Sequence, residues 1–136
     1  MTSDLDIVLT PPTGTTKSFL TWAMSGEVNA NGSTGFLVYR DVDGGGFTIL
    51  PNCKTGTDYW EVITTPSHGG TYSTTPQQVT VSIIDESPEV ASVNTYRLYV
   101  ASTAAALAGY WYLNRSITAP ASSNEAMLTT FKGECI

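Results

Sequence analysis

The sequence predicts an all-β domain, an antiparallel sandwich or barrel, from three observations. Apolar residues recur with period two far more often than with the helical period of 3.6. The apolar runs are short, rich in β-branched and aromatic residues, and separated at regular intervals by Gly, Pro, Asn and Ser clusters. Only 13% of the residues are charged, about half the share usual in a soluble domain, and Thr, Ser and Gly fill the polar positions instead.

In chain order, DIVL (Asp6 to Leu9) opens the strand series. It lies in an N-terminal segment, residues 1–16, that reads either as an extended arm ended by Pro11 and Pro12 or as an edge strand. Residues 17–136 read as one β-sandwich domain. KSFLTWAMS (Lys17 to Ser25) and GFLVYRDV (Gly35 to Val42) alternate over enough residues to cross a sheet. GFTIL (Gly46 to Leu50) follows the Gly-rich turn DVDGGG, and DYWEVIT (Asp58 to Thr64) sits between turn clusters. QQVTVSII (Gln77 to Ile84), TYRLYVA (Thr95 to Ala101), YWYLNRSI (Tyr110 to Ile117) and AMLTTFKGECI (Ala126 to Ile136) complete nine runs. Between the last two pairs, STAAALAG (Ser102 to Gly109) alone has helical propensity, and eight residues make at most a turn or two.

Size and charge exclude several classes. A chain of 136 residues forms one domain and buries enough surface to fold without a metal or disulfide staple. A net charge of -6 argues against a phosphate-binding footprint, so no nucleic acid partner is expected. No apolar run reaches membrane-span length, and MTSDLDIVLT carries acids where a signal peptide would be basic. A soluble protein made in the cytoplasm is the expectation, with no membrane partner. Asn31 and Asn114 begin glycosylation-type triplets, which without a secretory signal read as a turn and a strand end. Cys53 and Cys135 have no metal or redox spacing; two free thiols are the default, and a disulfide would need their Cα atoms within about 7 Å.

The chemical motifs resolve into ordinary structure. DVDGGG begins like a calcium loop, but Gly45 and Asn52 occupy positions that need oxygen-rich ligands, so a hairpin turn is expected. His68 in SHGG has no nucleophile elbow to serve and reads as a loop histidine. Glu61 follows Trp60 on a strand, which puts the two on opposite faces: a solvent acid behind a core tryptophan. DESPE reads as an acidic surface turn. No catalytic residue, cofactor or metal site is assigned, and no enzymatic activity is expected. Trp22, Trp60, Trp111 and the seven tyrosines would serve a sandwich core or stack on sugar rings.

YWYLNRS is apolar on both faces, since Tyr110 and Tyr112 alternate with Trp111 and Leu113. Such a strand is covered on both sides, and in a chain without helices the second cover is another subunit. TYRLYVA repeats the pattern, with Tyr96, Leu98 and Val100 on one face and Arg97 and Tyr99 on the other. The two strands are expected to pair across STAAALAG. Tyr and Arg are enriched at interfaces, so Tyr99, Arg97, Tyr110, Trp111, Tyr112 and Arg115 are the expected seam of a homo-oligomer. Trp111→Ala should then reduce assembly more than Trp22→Ala.

The C-terminal third resembles a pattern at the ends of tailed-bacteriophage virion proteins, in which a Tyr-x-Leu-Asn-Arg-Ser/Thr strand precedes a Ser-rich loop and a short final strand. The matching residues are Tyr112, Leu113, Asn114, Arg115 and Ser116, then Ser122, Ser123 and Glu134. The resemblance implies a jelly-roll domain assembling as a homotrimer on a virion, either as a capsid decoration (cement) protein or as the head of a tail or head fibre. ITAPASSNE departs from the family's acidic loop, so no ligand residue carries over. The chain has neither heptads nor repeats for a fibre shaft, which favours decoration. Its partners would be itself and the major capsid protein, with Leu5, Ile7, Val8 and Leu9 as the capsid contact. The alternative is a fibre domain that binds a host receptor or surface glycan through loop aromatics such as Tyr72.

Overall fold

A computed structural model describes residues 5–28, 34–53, 63–64, 77–102, 111–113 and 130–136. Nine strands are present among them: β1 Ile7–Leu9, β2 Ser18–Val28, β3 Thr34–Val42, β4 Thr48–Ile49, β5 Ile63–Thr64, β6 Gln77–Asp85, β7 Asn94–Ser102, β8 Trp111–Leu113 and β9 Thr130–Cys135. A single 3-10 turn, Pro51–Cys53, follows β4. Each apolar run read from the sequence carries one strand. The residues 103–110, Trp60, Glu61, His68 and Tyr72 lie outside the described residues.

All pairings are antiparallel, and the strands form two sheets packed as a sandwich. One sheet has the order β1, β7, β3, with β4 and β5 in tandem on the far edge of β3. The other has β6 beside β2, with β8 and β9 in tandem on the other edge of β2. This corrects one expectation: β7 and β8 do not pair. β7 lies between β1 and β3, whereas β8 pairs with β2 across Val28 and Trp111. The chain therefore changes sheets between them, a step that local alternation cannot encode.

Strand alternation builds the core directly. Leu20, Trp22 and Met24 of β2 and Val81 and Ile83 of β6 face Ile7, Phe36, Val38 and Tyr96 of the other sheet. Leu50 and Cys53 close the layer beside β4. The Trp22 indole donates its Nε1 hydrogen to the Leu5 carbonyl at 2.9 Å, so its polar edge is satisfied where its ring is fully buried. At one side of the sandwich β1 lies against β9. A Cβ on Gly133 would sit 2.6 Å from Ile7 Cγ2 and 2.9 Å from Leu9 Cδ1, so the sheets approach this closely only over a glycine.

DVDGGG forms the β3–β4 turn. Asp43, Gly44 and Gly46 have φ of 50°, 79° and 109°, and the Asp41 carboxylate accepts the Gly46 N–H at 2.7 Å. Asp43 accepts the Val93 N–H at 2.8 Å, which ties this turn to the β6–β7 connection.

Candidate functional site

The outward face of the five-stranded sheet carries two of the sequence-predicted seam residues, Arg97 and Tyr99. Arg97 and Tyr99 alternate with inward Tyr96 and Leu98, so both project away from the core beside Leu37 and Tyr39 of β3. The Tyr39 and Tyr99 rings lie 4.5 Å apart at 53°, and Tyr99 is 40% exposed. Arg97 does not stand free. It donates two hydrogen bonds to Asp6, at 3.0 and 2.7 Å, and its guanidinium lies 4.1 Å above the Phe47 ring. The Asp6 carboxylate holds the guanidinium above its usual pKa range, so Arg97 stays protonated.

The N-terminal contact residues divide by alternation. Ile7 is in the core, Leu5 and Leu9 pack against it, and Val8 alone of the four is mostly exposed, at 58%. Val8 stands opposite Thr95, on the same outward face as Arg97 and Tyr99. Trp111 and Tyr112 lie in β8, whose backbone pairs with Val28 and Glu27 in the other sheet. Tyr110 and Arg115 lie outside the described residues. The expected seam therefore does not form one strand-paired surface.

The opposite outward face, on the four-stranded sheet, has a different chemistry. It carries Thr21, Ser82, Thr80 and Thr130 together with the partly exposed Phe19 and the Lys132–Glu134 ion pair, and the Thr21 and Ser82 hydroxyls are 3.2 Å apart across the strands.

Sequence reasoning missed a polar cluster between the sheets. Asp85, read as part of a surface turn, is 3% exposed and accepts hydrogen bonds from Arg40 Nη1 at 2.7 Å, Tyr96 Oη at 2.8 Å and the Ser87 N–H at 3.1 Å. Arg40 Nη1 also donates to the Ser87 carbonyl at 2.7 Å. Only Glu86 and Glu89 of DESPE are surface acids. The signal available in the sequence was parity: Asp85 stands two residues after Ile83 and four after Val81, on the inward side of β6. Burial, reinforced by the Asp85 carboxylate, pushes the Tyr96 phenol above its ordinary pKa, so it remains a donor. The Ser18 hydroxyl is buried in the same layer, near the Tyr96 hydroxyl. The cluster joins β3 and β7 of one sheet to β6 of the other.

Both cysteines are free thiols, Cys53 buried and Cys135 exposed. Cys53 Sγ accepts the Val38 N–H at 3.4 Å, and burial pushes its pKa up, which leaves it unreactive. Among the described residues no three metal-ligating side chains come together. No family model, curated protein or solved structure matches this chain.

Proposed function

We propose that this protein is a structural component of a tailed-bacteriophage particle, a capsid decoration (cement) protein that binds at capsomer junctions as a homotrimer. The jelly-roll connectivity and the trimer belong to this proposal. The observation that carries it is the outward face of the five-stranded sheet, where the exposed Val8 and Tyr99 stand beside the Tyr39 ring. The YLNRS resemblance supplies the virion context. Its work is mechanical: each copy buries apolar area against neighbours, at roughly 25 cal/mol per Å² before association costs, and many copies together resist internal pressure. No reaction is involved. Val8 and Tyr99 are the contacts this face offers, while Leu5, Ile7 and Leu9 hold β1 to its own core.

The fibre-domain alternative requires aromatics arranged for a sugar. The 53° tilt between Tyr39 and Tyr99 gives a pyranose ring no common stacking plane, which favours assembly over glycan binding on this face.

The test is native mass by light scattering followed by co-sedimentation with capsids stripped of decoration. A trimer that pellets with capsids, and loses this on Val8→Asp combined with Tyr99→Glu while its near-UV spectrum is unchanged, is the expected result. A folded protein that ignores capsids but labels host cells would replace this reading with the fibre alternative.

A further inference from the structure

The two long edges of the four-stranded sheet differ. β9 carries exposed Lys132 and Glu134, which form an ion pair along the strand; charges on an edge discourage pairing with another chain. β6 has no such guard. Gln77 to Ile84 contains no charge and no proline, and Asp85 at its end is turned inward onto Arg40. A nine-residue, β-branched strand with one buried face and an outer edge that no described strand pairs is a template for strand addition.

One side chain sets where that edge is open. Asn52 donates to the Ile84 carbonyl from outside the sheet. Along an antiparallel strand the N–H and C=O of one residue point the same way and alternate from residue to residue. Ser82, Thr80 and Gln78 therefore turn their backbone groups to the same outer side as Ile84. No described residue bonds those groups, and all three side chains are exposed.

We propose that this open edge pairs antiparallel with β6 of a second copy, about a two-fold axis at Thr80. In that register Thr80 meets Thr80 and Gln78 meets Ser82 of the second copy, so the N–H and C=O groups of all three residues are bonded and the Asn52 bond is kept. On the inner side Val79 meets Val81, which makes the two cores continuous. On the outer side only neutral hydrogen-bonding side chains face one another. The stretch is thus self-complementary and free of the repulsion that a chain of net charge -6 would otherwise meet on self-contact. Two four-stranded sheets become one continuous sheet across the axis. This contact does not depend on the virion reading, and it lies away from the aromatic face.

Thr80→Pro removes the outward N–H without touching the β2 ladder, and Thr80→Lys sets two like charges directly opposite. Each should halve the native mass of the assembly, from dimer to monomer or from paired trimers to trimers, while Thr130→Lys, on the same face of the opposite edge, leaves it unchanged. In a Cys135→Ser background, Thr80→Cys should cross-link to itself on oxidation, whereas Gln78→Cys or Thr130→Cys alone should not. A Thr80→Cys protein that cross-links no faster than those controls, together with unchanged mass in Thr80→Pro, would overturn the β6 contact. A trimer that persists under that result leaves the proposed function standing; capsid binding lost with the β6 contact intact would sink the function alone.

Discussion

At the residue scale, the Asp85 carboxylate ties Arg40, Tyr96 and the Ser87 backbone together between the sheets. Asp85 is buried and charged, so removing it strands Arg40 and the Tyr96 hydroxyl between the sheets. Asp85→Ala should destabilise the fold by about 3–5 kcal/mol, and Tyr96→Phe, which deletes a single donor, by about 1–3 kcal/mol. Urea midpoints at constant slope measure both; equal small losses would mean that the cluster is solvated. Cys53 gives a second, pH-dependent expectation. Its folded-state pKa is raised by burial, so its contribution to stability is complete below the ordinary thiol pKa of about 8.5 and declines as pH rises above it. Cys53→Ala should flatten the alkaline limb of the stability profile. In the native protein a thiol reagent should modify Cys135 at once and Cys53 only on unfolding.

At the element scale, the contact of β1 with β9 depends on Gly133. Gly133→Ala drives a methyl group into Ile7 and Leu9, and since both belong to the packed layer the cost is expected to be about 1–3 kcal/mol. Combining it with Ile7→Ala opens space at the same point, so the double variant should lose less than the sum of the two singles. Additive losses would show that β1 moves away as a unit. Trp22 is fully buried on β2, and Trp22→Ala should cost about 3–5 kcal/mol through folding alone. Trp111 pairs with Val28, which has the parity of Trp22 and Met24 on β2, so thermal midpoint against native mass for Trp111→Ala decides between a core and a seam role.

At the scale of the whole molecule, the two long edges of the four-stranded sheet differ: β9 carries the Lys132–Glu134 ion pair, and no described strand pairs the outer edge of β6. Period-two alternation made all nine strands legible, and it also made the inward and outward sides of β7 legible, with Tyr96 buried and Arg97 and Tyr99 outward. Turn chemistry did the same for DVDGGG, because Gly44 and Gly46 adopt φ values that other residues resist. These features are local: each is decided by a residue and its near neighbours along the chain. The sheet to which each strand belongs is not local. β7 and β8 are consecutive in sequence yet lie in different sheets, because strand order is set by which pairing closes both cores at once. Asp85 looked like a surface acid because its partners Arg40 and Tyr96 are 45 and 11 residues away. The sequence by itself determined an all-β chain, its strands, its turns and the side to which each side chain points, since period and backbone preference are written residue by residue. Only the tertiary structure decided how the strands divide between two sheets, which acid is buried and where a glycine lets the layers meet, since each depends on groups that folding alone brings together.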